Sequence, residues 1–511
     1  MTHDVTRRQF LRTAGGATLL ALSPDLATFA APELIKPDKS LPLFTALPYV
    51  QPGAGSALVK GQETKVIAWQ TTTTPAAFEL QYGPTKKLGM TLPVQTTPRW
   101  SGDVEDGDPR FNYAANLNGL DLNKPYYYRV LSNGKPIAEG RFTTRKPRGQ
   151  RVRFVAFGDN SYGDISDRAI AYHAYRAQPD FVMNTGDNVY DGGLDNEYAR
   201  YFFPVYNADV AGPRLGAPLI RSTPYYTVIA NHDVHDKDPA KHPVADFDKD
   251  PDSLAYYTAM YLPLNGLAQP PQPTPTLAAT TNGREQFQQF SHTAGSRFPS
   301  MANYSFDYGD AHFLCLDSNI YVDPTNAQLQ AWIEQDLAKT DAPWKFVVYH
   351  HPAFNVGDDH YKEQHMRVLS PLFEKHRVDI VFNGHEHSYQ RTRPMRFEPM
   401  DTSRASLLND KDRRVPGKFS IDRRFDGNAA TKADGIIYIT TGAGGKHLYD
   451  PEHTNQPEKW RHAEDNNADY VVKFVSDRHS LTVIDLDAKS LSLTQIDEYG
   501  QKIDQVRVTK A

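Results

Sequence analysis

The sequence predicts a mixed α/β protein in which an all-β region is followed by an α/β core. Three observations carry that reading. Between about residues 55 and 146, apolar side chains recur at every second position in short runs bounded by turn residues. From Arg151 onward, short apolar runs alternate with amphipathic stretches of helical period, the rhythm of strands covered by helices. The chain has 511 residues with 39% hydrophobic and 11% aromatic side chains, enough for more than one sizeable core and too much for wholesale disorder. Its 56 basic and 61 acidic side chains leave a net charge of −5, which excludes a nucleic-acid backbone as the main partner. Cys315 stands alone, so neither an internal disulfide nor a cysteine cluster can form. Any metal must be held by His, Asp, Asn, Tyr or Glu, and there are 18 histidines.

Taken in order, Thr6-Arg7-Arg8-Gln9-Phe10-Leu11-Arg12 precedes an apolar stretch from Ala14 to Leu22 and small residues around Ala27 to Ala31. This segment resembles a twin-arginine export signal, taken to span residues 1–31. The apolar stretch falls short of the roughly 20 residues that cross a bilayer, so no stable membrane anchor is expected. The resemblance implies the twin-arginine export machinery as a partner and a periplasmic or secreted destination.

After a Pro-rich stretch, Val66 and Ala68, then Phe78, Leu80 and Tyr82, then Tyr126, Tyr128 and Val130 place apolar groups on one face of successive strands, a β-sandwich pattern. The run Leu120-Asp121-Leu122-Asn123-Lys124-Pro125-Tyr126-Tyr127-Tyr128-Arg129-Val130, with Arg141-Phe142-Thr143-Thr144, resembles a fibronectin type III domain, taken as residues 40–147. It reads as a spacer or lid-forming module, and Lys146-Pro147-Arg148-Gly149 as its linker. Residues 150–511 then form the second region. Val152 to Phe157, Phe181 to Asn184, Tyr225 to Ala230, His312 to Leu316, Phe346 to Tyr349, Asp379 to Phe382 and Ile436 to Thr440 are expected strands. Ser166 to Gln178, Asn326 to Lys339 and Tyr361 to His376 are expected helices. A Pro-rich loop from Gln269 to Pro275 and a charged segment from Pro394 to Asp434 read as long loops, and Phe474 to Val508 as extra strands.

Five expected strands end in polar clusters: Gly158-Asp159-Asn160, Gly186-Asp187-Asn188-Val189-Tyr190, Asn231-His232-Asp233, His350-His351-Pro352 and Gly384-His385-Glu386-His387. Carboxyl ends of strands in α/β sheets feed one crevice, so clusters far apart in sequence can converge there. Singly each suits a turn or a cap. Together they would be expensive to bury without a cation.

With these clusters, and with Asn303-Tyr304-Ser305-Phe306-Asp307-Tyr308-Gly309, His387-Ser388-Tyr389-Gln390-Arg391 and Thr441-Gly442-Ala443-Gly444-Gly445, the chain resembles the purple acid phosphatases among the calcineurin-like metallophosphoesterases. The resemblance covers roughly residues 40 to 450, and Tyr190 is its discriminating residue. It implies a two-sheet metallophosphoesterase sandwich flanked by helices, preceded by the fibronectin-like region. It also implies two metal ions, Fe(III) plus a divalent Fe, Zn or Mn. Asp159, Tyr190 and His387 would hold the first and Asn231, His350 and His385 the second, with Asp187 bridging; hard anionic donors suit the trivalent ion. His232 and His360 would serve the phosphate and the leaving group, and His351 lies outside the ligand set. Ser161 stands where the family has glycine, and Ala230 replaces a second glycine, leaving the loop geometry beside Asp159 and Asn231 open. The expected activity is hydrolysis of small phosphate monoesters by metal-activated water. A phosphodiesterase on the same scaffold and a non-catalytic phosphate-binding or surface protein are the alternatives.

Overall fold

Period-two patterning builds the first part of the chain: Phe78, Leu80 and Tyr82 are buried, whereas Glu79 between them is exposed. The computed structural model describes residues 44–55, 61–72, 77–99, 110–234, 245, 247, 249–267, 284–409 and 411–510. The segment 1–31, expected to be an export signal, and the stretch Gln269 to Pro275 lie outside the described residues. Phe44–Gln51, Gln62–Thr71, Arg110–Asp121 and Gln95–Arg99 make one antiparallel sheet, and Met90–Pro93, Phe78–Gly83, Pro125–Ser132 and Lys135–Thr143 a second. Aromatic packing joins them, with Phe78 of the second sheet edge-on to Trp69 at 5.6 Å and to Tyr113 at 4.5 Å of the first.

Val66 and Ala68 do not fill this sandwich as the alternation suggested. They join the core of the α/β part, while Ile67 and Trp69 on the opposite face fill the sandwich. The neighbouring strand behaves likewise, Ala46 and Tyr49 facing the larger core and Val50 the smaller. Two strands are thus buried on both sides, and the all-β and α/β parts pack as one compact unit. Val50 N–H donates to Ile220 O at 2.8 Å and Tyr49 Oη to Ala259 O at 2.7 Å across the junction. At the same boundary, buried Glu63 accepts from Lys65 Nζ at 2.6 Å and from Arg145 Nε at 2.7 Å, and Arg145 Nη1 reaches Asp307 O at 3.1 Å. Burial alone would raise the Glu63 carboxyl, but the two cations outweigh it and hold it below the ordinary carboxylate range.

The α/β part is a two-sheet sandwich. Tyr225–Thr227, Phe181–Asn184 and Val152–Phe157 run parallel, followed in the same sheet by antiparallel Ser480–Leu486, Ser490–Asp497 and Lys502–Thr509. The facing sheet has the order Tyr304–Tyr308, Ala311–Cys315, Trp344–Val348, Ile380–Asn383, Ile437–Thr441, Tyr389–Thr392, Val471–Val475. Phe154 from the first sheet meets Phe313 at 5.3 Å and Phe346 at 5.8 Å from the second, edge to face. Helix Ile165–Arg176 starts on an Asp164 cap with Asp167 completing a capping box, and Ala327–Lys339 starts where Asn326 accepts from Gln328 N–H at 2.9 Å.

Three expectations need correction. The strand from Tyr225 ends at Thr227 rather than Ala230. The stretch Tyr361 to His376 is not one helix but a 3-10 segment His365–Leu369 and a short α-helix Ser370–Lys375. Pro371, which lacks an N–H, stands in the first turn of that helix, and Glu363 is drawn aside to two histidines. The charged segment from Pro394 holds a hairpin, Met395–Pro399 with Gly417–Ile421, rather than one long loop.

One buried histidine gives the fold a pH dependence. His312 is clamped between Asp307 and Asp336, each 2.8 Å from a ring nitrogen. Burial favours the neutral ring, yet the two carboxylates outweigh it and raise its pKa to about 9. The folded chain therefore keeps a proton that the unfolded chain releases near pH 6.5. Stabilisation from this clamp is full below about pH 6.5 and is lost as pH rises toward 9, an effect of about 2 kcal/mol after allowance for the half-exposed Asp307. Denaturant melts of wild type and His312→Gln across that range are expected to converge at the alkaline end. A gap that does not change with pH would contradict the clamp.

Candidate metal centre

The parallel strands of both sheets point their carboxyl ends the same way, and the loops leaving them meet. Asp159 N–H donates to Gly186 O at 3.1 Å, and His350 Nδ1–H donates to Thr185 O at 2.9 Å, tying one sheet to the other. The approach is close at Gly186, whose φ is +102° and where a side chain would press on Ala230 and on His350 Nδ1. Asp159, Asp187 and His385 hold φ values of +58°, +50° and +67°, conformations that cost a non-glycine residue about 1 kcal/mol or more each. Ser161 adopts φ +59°, so the position keeps the geometry a glycine would supply, anchored by its N–H on Asp167 Oδ1 at 3.1 Å. Ala230 is not left-handed, so its methyl group strains nothing.

All seven expected ligands come together. Tyr190 Oη lies 3.3 Å from both Asp159 Oδ1 and His387 Nε2, and that nitrogen lies 3.5 Å from Asp159 Oδ1. Beside them, His350 Nε2 is 3.3 Å from Asp187 Oδ2 and 3.2 Å from His385 Nδ1. Asp187, His350 and His385 present donor atoms within 4.8 Å of one another. Asn231 Oδ1 is buried with no hydrogen-bond partner among the described residues, and the next residue's N–H donates to Asp187 Oδ1 at 3.0 Å.

Each imidazole is turned by its far nitrogen. His350 Nδ1 is spent on Thr185 O and His387 Nδ1 on His447 O at 2.6 Å, while His385 Nε2 is held by Glu363 Oε2 at 2.8 Å. The remaining nitrogens all face inward, the arrangement that presents lone pairs to a cation. Burial drives the His385 pKa down to about 3 and holds His387 well below its ordinary value, so both rings stay neutral. Burial raises Asp159 and Tyr190 far above their usual ranges, and the carboxylates around Tyr190 push it further. A phenolate in this position needs a cation beside it. Two carboxylates, a phenol, three imidazoles and one orphaned amide oxygen therefore fit a pair of metal ions.

The calcineurin-like phosphoesterase family model matches residues 152–389, which carry all of these donors. This stretch is a calcineurin-like phosphoesterase domain. Purple acid phosphatase 22 of Arabidopsis thaliana is 40% identical over 280 residues, covering 54% of this chain and 52% of that protein. Matches to the Arabidopsis thaliana relatives span between 18% and 54% of their length. Two solved structures share the fold: a purple acid phosphatase from yellow lupin seeds (TM-score 0.60, 18% identity, 90% of this chain and 74% of that one), and PhoD (TM-score 0.51, 12% identity, 93% and 94%).

Around the centre of the phosphoesterase domain, His360 packs 3.8 Å from the His385 ring and His232 packs 4.5 Å from Tyr190. His232 Nδ1 donates to Asp191 O at 3.0 Å. His351 spends Nδ1 on Ser318 Oγ at 3.0 Å, while its ring packs 4.3 Å from that of His385 and its Nε2 lies 3.9 Å from Glu363 Oε2. Glu363 escaped the sequence reading. Its carboxylate accepts from His385 Nε2 and from His360 Nδ1 at 3.3 Å, joining a candidate ligand to a candidate acid. Burial would raise this carboxyl, but His385 and His360 outweigh it and hold it well below the usual range. The same partnership raises His360 against the effect of burial. The spacing His360-x-x-Glu363, neighbours across one turn, was the available signal. Asp233 was also missed as a support. It accepts from Ala230 N–H at 3.1 Å beneath Asn231, and burial followed by the Asp187 charge raises it to about 8.

Proposed function

We propose that the chain is an exported acid phosphatase that hydrolyses small phosphate monoesters at a dinuclear centre of Fe(III) and a divalent Fe, Zn or Mn. In this reading Asp159, Tyr190 and His387 hold the ferric ion, Asn231, His350 and His385 the divalent ion, and Asp187 both. The observation that carries it is the meeting of Tyr190 Oη, Asp159 Oδ1 and His387 Nε2 within 3.5 Å of one another, an anionic donor set for a hard trivalent cation. Such a metal pair supplies an acidified water and neutralises the phosphate oxygens. The chain's own groups do the rest. Glu363 keeps His360 protonated to a higher pH than burial alone would permit, placing a proton donor beside His385 for the departing alcohol. His232, tied to Asp191 O, presents Nε2 to the phosphate. Residues 1–31 act as the twin-arginine signal, and residues 40–147 and 150–511 as the fibronectin-like and catalytic regions. No helix of the described residues is long and apolar enough to cross a membrane.

The test is turnover of nitrophenyl phosphate against its bis-ester, with a visible spectrum of the purified protein. The monoester is expected to be preferred, and a ferric–phenolate absorption band is expected to vanish in Tyr190→Phe. A strong diester preference would overturn the substrate class; colourless protein holding only zinc or manganese would overturn the ferric assignment.

A further inference from the structure

A second group of metal-type donors lies outside the centre. Asp358, Asp450 and His453 offer two carboxylate oxygens and one imidazole nitrogen, all within 4.8 Å of one another. His453 Nδ1 stands 3.8 Å from Asp450 Oδ2, and its Nε2 3.8 Å from Asp358 Oδ2, both beyond hydrogen-bond reach. The ring is only 4% exposed, yet its Nδ1 has no hydrogen-bond partner among the described residues. A buried imidazole nitrogen aimed at a carboxylate it does not touch is missing something between them.

A neighbouring orphan points the same way. Glu386 is fully buried; its Oε2 accepts from Asn355 Nδ2 at 2.9 Å, and its Oε1 has no hydrogen-bond partner among the described residues. A methyl group on Gly357 would collide with this Oε1 and lie 3.0 Å from Asp450 Oδ2, so both oxygens close on the same patch of bare backbone. Glu386, Asp358 and Asp450 thus gather carboxyl groups in one place. Arg461 answers one of them by pairing with Asp358 Oδ1, which leaves Asp358 Oδ2 toward the histidine.

We propose that Asp358, Asp450 and His453 form a further divalent-cation site, separate from the dinuclear centre and suited to an ion of the Zn2+ or Mn2+ class. One imidazole with two carboxylates favours these ions over Mg2+ and Ca2+, and the exposed side of Asp358 leaves room for water ligands. Zn2+ with bonds of about 2.0–2.2 Å spaces its ligands roughly 3.3 Å apart, so the site draws in slightly on loading. The position gives the ion a role. Asp358 lies two residues before His360, and Asp450 follows Tyr449, whose ring stacks on His387 at 4.1 Å and faces His360 at 5.4 Å. Asp358 N–H already donates to Asp450 Oδ2 at 2.6 Å, and an ion there adds a second tie between the two loops that flank the proposed acid.

The experiment titrates Zn2+ alone into the full chain with its dinuclear centre filled, by calorimetry and by elemental analysis after dialysis. Wild type is expected to take one equivalent more than the double variant Asp450→Asn/His453→Gln, and Asp358→Asn to bind that equivalent at least tenfold more weakly. Asp187→Asn is expected to lose ions of the centre while keeping the additional one, which separates failure here from failure of the centre. Identical stoichiometry and affinity in wild type and the double variant would overturn the site. Should the double variant not fold, unchanged Zn2+ affinity in Asp358→Asn, an exposed side chain, would overturn it.

Discussion

Asp187→Asn is expected to lower kcat for phosphoester hydrolysis by about 10²–10³-fold or more and to leave the purified protein short of metal. The geometry explains the size. Asp187 is 1% exposed, with Oδ2 3.3 Å from His350 Nε2 and Oδ1 taking the His232 N–H at 3.0 Å. One carboxylate thus faces a candidate ligand with one oxygen and fixes the Asn231–His232 turn with the other. Burial would raise its pKa, but His350 and His232 outweigh burial and hold it far below the usual range, so it is anionic throughout the working range. An amide keeps the shape and loses the charge. Metal content and turnover should fall together, and a rate that survives with full metal content would remove Asp187 from the centre.

The largest expected effect on stability is at the other end of the molecule. Glu63→Gln is expected to cost about 3–5 kcal/mol, because it leaves Lys65 and Arg145 buried with no anion between them. The Glu63 side chain is fully buried, Lys65 likewise and Arg145 nearly so, so water cannot replace the lost charge. Denaturant unfolding should show the loss, while activity per folded molecule stays near wild type, since none of the three residues approaches the centre. A variant that melts like wild type would mean the three charges are not mutually dependent.

The candidate centre was legible because each candidate ligand cluster sits just past a short apolar run, where a strand must end and polar atoms must find partners. Asp159, Asp187, Asn231, His350 and His385 share that address, and the structure brings them together from both sheets. Glu363 shares no such address. It follows a turn, and its importance comes from two histidines that approach it from elsewhere in the chain. The hairpin from Met395 was also written in the sequence, since Met395 and Phe397 are buried and Arg396 and Glu398 exposed, but the surrounding charged residues masked the short alternation. Val66 and Ala68 misled for a different reason. Period two separates the faces of a strand and says nothing about how many of those faces are covered.

That second covering has a consequence for anyone who would treat the chain as interchangeable parts. Excising the N-terminal sheets would strip shelter from Tyr49, Val66 and Ala68 on one fragment and from their opposite numbers on the other, exposing greasy seams to solvent. A graft of this region onto a different hydrolase would need a host already shaped to receive it.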